Sequence, residues 1–146
     1  MISGEWRTQY IVSTNASMTD EGGPLRVYVR EFTCDSKCEA VTVSFYVKTP
    51  ECQLLSVVGT LTSDDIYTTD FSGQNYFQFL HVSKDFMVIY IKNVNGDSVT
   101  EIMEAFARKQ ETLTDQQVDA YYRMSERRGI SPQNAQYIPP NDICPQ

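Results

Sequence analysis

Four cysteines and one histidine are the side chains of this sequence whose types and spacing come closest to a chemical site. Cys34 and Cys38 are separated by three residues, whereas zinc and redox motifs usually separate their cysteines by two. His81 is the only histidine, so little else is present to complete a zinc site, and we expect it to be structural. The sequence also lacks a Gly-x-Ser-x-Gly elbow and a phosphate-binding glycine loop. We therefore predict no catalytic residue, no metal site and no cofactor.

The four cysteines are better explained as disulfides, for which three pairings are possible. Spacing favours Cys34 with Cys38, which would pinch a tight turn, and Cys52 with Cys144, which would tie the tail to the fold. Disulfides persist in oxidising compartments, so we predict a secreted, extracellular protein. The start, residues 1–4, has no apolar stretch typical of a signal peptide and is interpreted as that of a mature or recombinant form.

Length and charge narrow the classes of partner. At 146 residues, with 41% hydrophobic and 21% charged residues, the chain is predicted to form a single domain over residues 1–146. A net charge of −7 disfavours nucleic acid and anionic membranes, since both require a basic surface. No apolar run approaches the roughly 20 residues of a membrane helix, so we predict no membrane insertion.

Alternation of apolar and polar residues predicts a series of β-strands. The clearest stretch runs from Val41 to Val47, where every second residue is apolar and would give the strand one dry face. Turn signals such as Asn95-Gly96-Asp97 separate about eight stretches of this kind, and no helix interrupts them. We therefore expect an antiparallel barrel or sandwich with strands at residues 4–12, 24–33, 39–49, 52–62, 66–72, 75–81, 86–94 and 98–107.

A single helix is predicted after the strands. Thr114 and Gln117 have the spacing of a capping box, and Gly129 suits the position just after the helix. Between them, apolar residues recur at helical spacing, which indicates an amphipathic helix packed on the outside of the sheet.

The last strand is predicted with Met103 and Ala105 facing inward and with Phe106 facing outward under that helix. In this register Glu104 also faces outward. A slip of one residue would bury Glu104 and make the interior acidic, because successive side chains of a strand face opposite sides.

The interior of a barrel of about eight strands is either filled by side chains or just large enough for one small ligand. Many inward residues are medium or small, and Gly59 and Ala105 leave space. Thr69 and Asn75 add polar groups to an apolar lining, which is the usual composition of a small-molecule pocket. The sequence is consistent with either a packed core or a cavity. Asn75 is predicted either to bind a ligand or to hold its turn.

Several motifs, in order along nearly the whole chain, resemble one protein family. Gly4-Glu5-Trp6 resembles the Gly-x-Trp signature of lipocalins, and Cys34 and Cys38 match the Cys-x-x-x-Cys marker of their mammalian odorant-binding branch. Residues 71–77, 127–130 and 142–145 match the hairpin, the helix end and the tail of that branch, with the greatest similarity to aphrodisin-like proteins. The Thr-Asp-x-x-Tyr motif of lipocalins is not recognisable near residues 84–85.

The resemblance implies an all-β fold: an eight-stranded antiparallel up-and-down β-barrel, the lipocalin calyx, with one C-terminal α-helix packed outside and a disulfide-tied tail. It also implies the pairings Cys34–Cys38 and Cys52–Cys144. Trp6 would close the floor of the barrel beneath a cation from Arg108 or Lys109, of which Lys109 is the better match.

The resemblance further implies a carrier, not an enzyme, that binds a small hydrophobic volatile molecule such as an odorant or a pheromone. With the inward pattern, it predicts that the ligand-binding residues are Ile11, Leu25, Val27, Val43, Phe45, Leu55, Val57, Thr69, Phe71, Asn75, Phe77, Met87, Ile89, Met103 and Ala105.

Two other functions are considered. The protein itself is the signal if a chemosensory receptor recognises its surface, where Arg26 and Tyr46 are expected to be exposed. An isomerase with a reactive cysteine would need a free thiol, and we expect none. The expected oligomeric state is a monomer or a weak homodimer.

Overall fold

The chain folds into a nine-stranded sheet with one main helix in the computed structural model, which describes residues 1–146. Two short 3-10 turns, Pro132–Asn134 and Pro139–Asn141, lie in the tail. The strands and α-helices, in chain order, are β1 (Gly4–Ser13), α1 (Ala16–Thr19), β2 (Tyr28–Cys34), β3 (Ala40–Lys48), β4 (Cys52–Leu61), β5 (Tyr67–Asp70), β6 (Gln74–Val82), β7 (Phe86–Asn95), β8 (Ser98–Arg108), α2 (Asp115–Arg127) and β9 (Gln136–Tyr137).

The first eight strands form a closed antiparallel barrel. Each strand from β2 to β8 pairs with its neighbours in sequence, and β1 closes the sheet by pairing with both β8 and β2. The predicted fold class is therefore confirmed. Strand β2 covers one edge of β1 only at Gly4 and Glu5, so the rest of the edge is open to pairing with another segment. The predicted strand bounds agree with the structure to within two residues, except at β2.

Strand β2 begins at Tyr28, not at Pro24. The preceding residues bond to the loop instead of to a neighbouring strand: the N–H of Leu25 donates to Met18 O, and the N–H of Arg26 donates to Gly23 O. This loop, predicted to be irregular, contains the one-turn helix α1. The expectation that Arg26 is exposed is wrong. Its guanidinium is buried and donates to Thr19 O and to Gln136 Oε1.

Helix α2 begins at the predicted capping box. Thr114 Oγ1 accepts a hydrogen bond from the N–H of Gln117, and the Gln117 side chain accepts one from the N–H of Thr114. The helix packs on the outside of β8, where the Tyr121 hydroxyl donates to the carbonyl oxygen of Met103 at 2.7 Å. Neither helix is long and apolar enough to cross a membrane.

Both predicted disulfides are confirmed. Cys34 is bonded to Cys38, and Cys52 is bonded to Cys144 across 92 residues of sequence. The tail is also fastened by a buried ion pair, in which the Arg30 guanidinium lies 2.7 Å from the Asp142 carboxylate. The tail, predicted only as extended, adds the short strand β9 to the outer edge of β1.

Strand β8 has the opposite register from the one predicted. The cross-strand partners of Glu104 and Phe106 are Ile89 and Met87, so both residues face into the barrel. Met103 and Ala105 face outward and pack in one cluster with Tyr121 of α2. The prediction failed because both faces of this strand are dry. One face lines the interior and the other lies under the helix, so alternation carries no signal of direction.

Trp6 closes one end of the barrel and is fully buried. The cation over its ring is Arg108, whose guanidinium carbon lies 3.7 Å from the ring centroid. The preference for Lys109 is therefore wrong. Arg108 is the cross-strand partner of Trp6 and shares its side of the sheet, whereas Lys109 forms an ion pair with Glu5 at 3.7 Å.

Candidate ligand-binding cavity

The interior contains a cavity of about 100 Å³. Typical ligand pockets begin near about 300 Å³, whereas an engineered apolar cavity of roughly 150 Å³ binds benzene. The cavity as it stands thus suits a compact molecule. Thirteen of its sixteen lining residues are hydrophobic, and the full set is Leu25, Val27, Val29, Phe32, Val43, Phe45, Val57, Thr69, Phe71, Asn75, Phe77, Ile89, Ile91, Ile102, Glu104 and Phe106.

Most of the residues predicted to bind a ligand are brought together around this cavity. Contact with a ligand stays a prediction for each of them. Those that line the cavity are Leu25, Val27, Val43, Phe45, Val57, Thr69, Phe71, Asn75, Phe77 and Ile89.

Five predicted residues do not line the cavity. Met103 and Ala105 lie on the outer face of β8, so their predicted inward position is wrong. Met87 is buried in the same cluster as Trp6, towards the closed end of the barrel. Ile11 packs in a cluster with Leu25 and Ile102. Leu55 faces inward as the cross-strand partner of Phe45 but is only half-buried.

Three lining residues missed by the prediction lie on β8: Ile102, Glu104 and Phe106. The β7–β8 hairpin carried the signal that would have found them. Its two-residue turn, Gly96-Asp97, sets Asn95 opposite Ser98, and hairpin register follows from turn length. A strand β7 with Ile89 facing inward then requires that Glu104 face inward too.

Phe32 was missed for another reason. The pairing of β2 with β3 shifts between Val29 and Glu31, which marks a β-bulge. The bulge inserts one residue into the alternation, so Phe32 faces the cavity together with its partner Val43. Two further lining residues, Val29 and Ile91, follow the alternation of their strands but were left out of the predicted set.

Aromatic rings fill much of the space that small residues were expected to leave. A Cβ atom added to Gly59 would lie 2.5 Å from the Phe77 ring, so this ring occupies the volume beside the glycine. The Phe77 ring also stacks on Tyr67, with ring centroids 5.3 Å apart. Phe32 meets Phe106 edge to face, with ring centroids 5.6 Å apart. These rings set the shape and the small volume of the cavity.

The Asn75 side chain is used to hold its turn, the second of the two roles considered for it. Its amide nitrogen donates to Phe71 O at 2.8 Å, and its amide oxygen accepts from the amide of Asn93 at 2.9 Å. The amide group thus fixes the β5–β6 connection at one side of the cavity.

Glu104 is the only charged residue type in the lining, and its residue is 3% exposed. The carboxyl oxygen Oε1 is buried and has no hydrogen-bond partner. Burial raises the pKa of this carboxyl to about 8, and the positive charge of Arg26 offsets only part of that rise. The group is therefore a neutral carboxylic acid near pH 7, because its charged form would lose more solvation than the charge of Arg26 repays and would gain no hydrogen bond.

No free thiol is present, since all four cysteines are in disulfides. His81 lies near one end of β6, with its ring 4.9 Å from the Phe86 ring. The isomerase hypothesis therefore lacks the reactive cysteine that it requires.

The chain is similar to known proteins in both sequence and fold. Residues 3–142 match the "Lipocalin / cytosolic fatty-acid binding protein family". An odorant-binding protein of Rattus norvegicus is 38% identical, over 99% of this chain and 84% of the relative. The crystal structure of aphrodisin, a sex pheromone from female hamster, superposes with a TM-score of 0.95 at 30% identity and covers 100% of both chains. A complex of bovine odorant-binding protein with undecanal gives a TM-score of 0.70 at 31% identity, over 99% of this chain and 94% of that one.

Proposed function

Since this chain belongs to the lipocalin family, we propose that it is a carrier that reversibly binds small hydrophobic volatile molecules, odorants or pheromones, inside its barrel. The observation that carries the proposal is the cavity of about 100 Å³ with thirteen hydrophobic lining residues. Burial of apolar ligand surface supplies about 25 cal/mol per Å², part of which is offset by the ordering cost of binding.

The names of the relatives support the same class of ligand. One solved relative is described as a sex pheromone and another as a complex with undecanal, an aliphatic aldehyde. We propose that this chain acts as a carrier without catalysing a reaction. We also propose that it is secreted, because its two disulfides require an oxidising compartment to persist. Recognition by a chemosensory receptor and a monomer or weak homodimer state stay predictions.

Displacement of an environment-sensitive dye tests the carrier function. Delipidated protein is expected to give a saturable dye signal that small odorants compete away. Val57→Phe should weaken both dye and odorant binding, because Val57 lines the cavity. Val58→Phe is the matched control: the next residue of β4 faces outward and is 54% exposed, so this variant should bind as the parent does.

A dye signal that does not saturate, or that odorants leave unchanged, would contradict the carrier proposal. Equal loss of binding in the Val57 and Val58 variants would instead contradict the assignment of the cavity as the binding site. Far-ultraviolet circular dichroism of each variant verifies that the barrel is folded.

A further inference from the structure

Glu104 is the group of the cavity that the fold does not use. Of the three non-hydrophobic lining residues, Thr69, Asn75 and Glu104, only Glu104 has a buried side-chain oxygen without a hydrogen-bond partner. The amide of Asn75 already makes hydrogen bonds to Phe71 O and to the Asn93 side chain. The carboxyl of Glu104 makes no comparable contact in the protein.

The charge of Arg26 is the only interaction around Glu104 that favours a carboxylate there, and no hydrogen bond from the protein reaches the carboxyl of this residue. Its cross-strand partners are Ile89 on β7 and Ile11 on β1, and both are buried and apolar. The one cation that acts on it, Arg26, donates its hydrogen bonds to Thr19, Gln136 and the Tyr28 hydroxyl, and its buried Nη2 atom has no partner. A buried polar group without a partner costs stability, and an apolar residue of similar shape is often neutral or stabilising in such a place.

We propose that the Glu104 carboxyl is the polar anchor of the cavity, and that it selects compact apolar ligands bearing one neutral oxygen group, an alcohol or a ketone, over hydrocarbons of the same shape. This inference rests on the proposed carrier function and names the ligand class for the same cavity.

The chemistry of the anchor follows from its protonation state. A neutral carboxylic acid carries one O–H donor and keeps an acceptor oxygen. It can donate to a ketone, and with an alcohol it can both donate and accept. A hydrocarbon leaves the carboxyl unpaired, so the cost of burying this group persists in that complex. A ligand with one oxygen group removes this cost.

Two ring compounds small enough for the cavity test the proposal. Cyclohexanol and methylcyclohexane differ by a hydroxyl in place of a methyl group and are close to the size of benzene, which fits a cavity of roughly 150 Å³. Each is titrated into protein labelled at its isoleucine and valine methyl groups, and NMR shifts of Val43, Val57 and Ile89 report entry, because these residues line the cavity.

The measured quantity is the ratio of the two affinities in each variant. Glu104→Met keeps an unbranched side chain of similar length without the carboxyl, and it should lower the preference for cyclohexanol by about tenfold, the scale of one hydrogen bond near 1.4 kcal/mol. Glu104→Gln retains a donor and an acceptor and should keep most of the preference. Glu101→Met is the matched control, because Glu101 lies on the outer side of β8 and accepts from the Tyr90 hydroxyl.

The outcomes separate this inference from the proposed function. If neither compound shifts the cavity methyl groups of the parent protein, the carrier function itself fails. If both compounds bind and the affinity ratio is the same in the parent and in Glu104→Met, the anchor is overturned while the carrier function stands. Unchanged binding of methylcyclohexane to Glu104→Met, with a weakened cyclohexanol complex, supports the anchor and shows that the variant is folded.

Discussion

The cavity and the layer beneath α2 lie on opposite faces of the same strand, β8, and treat buried polar groups differently. In the outer layer the Tyr121 hydroxyl donates to Met103 O, and the Ser125 hydroxyl donates to Ile130 O at 2.6 Å. In the cavity the Glu104 carboxyl has an oxygen without a partner. These two hydroxyls in the outer layer are hydrogen-bonded within the protein, whereas the carboxyl in the cavity has an oxygen that could still accept or share a hydrogen bond with a ligand. The two paired hydroxyls hold α2 and the segment that follows it, and the unpaired carboxyl is the group that we propose binds a ligand.

Truncation of one large ring in each region should separate them most clearly. Tyr121→Ala is expected to lower the free energy of unfolding by about 3–5 kcal/mol, because the ring is fully buried and its space would be left empty. Phe71→Ala should cost less, since this half-buried ring already borders the cavity and has fewer contacts to lose. Urea unfolding followed by circular dichroism measures both values. Equal losses would contradict the distinction between a filled layer and an unfilled one.

Enlarging a small residue in each region should give opposite effects on stability and binding. Ala105→Phe overpacks the layer under α2 and is expected to cost about 1–3 kcal/mol of stability while leaving ligand affinity unchanged. Val57→Phe should weaken binding, because its ring would enter the cavity. Thermal unfolding and dye titration of the two variants test this prediction. A loss of ligand affinity in Ala105→Phe would contradict the position of Ala105 on the outer face of β8.

The titration of Glu104 offers a smaller, pH-dependent contrast. Its pKa in the folded protein is raised to about 8 from an ordinary 4.5, so between these values the folded state holds a proton that the unfolded state has released. The contribution of this bound proton to the free energy of unfolding is fully present below pH 4.5 and is lost as the pH rises to about 8. The slope is at most about 1.4 kcal/mol per pH unit.

Comparison with Glu104→Gln isolates this effect, because all other titrating groups are shared by the two proteins. The free energy of unfolding of the parent, relative to the variant, should fall between about pH 5 and about pH 8. Urea unfolding at several pH values measures the difference. A constant difference over that range would mean that the carboxyl keeps its ordinary pKa and is not sealed from water.

The sequence was sufficient where a pattern had one physical cause. Strand β3 alternates because one face is dry, and the Thr114 capping box needs only local contacts. Spacing was enough to favour the disulfide that joins Cys52 to Cys144. In each case the signal is local or covalent, so it survives without knowledge of the neighbouring elements.

The cavity was harder to predict because its lining depends on register. Phe32 reaches the cavity through a bulge that no residue type announces. Glu104 lies on a strand with two dry faces, so a polar residue among apolar ones suggested the surface. Only the length of the β7–β8 turn, which sets Asn95 opposite Ser98, decides between the two faces. Long-range pairing, not composition, therefore fixes the chemistry of the interior.

The position of Trp6 has a practical consequence for following this protein in solution. It is the only tryptophan of the chain, it is fully buried at the closed end beneath Arg108, and it does not line the cavity. Its fluorescence should therefore report on this one site, and the wavelength of maximum emission should increase when unfolding exposes the ring to water. Tryptophan emission should change little when a ligand enters the cavity, because Trp6 does not line it. In one sample, tryptophan emission can therefore follow unfolding while the fluorescence of an added dye follows ligand binding.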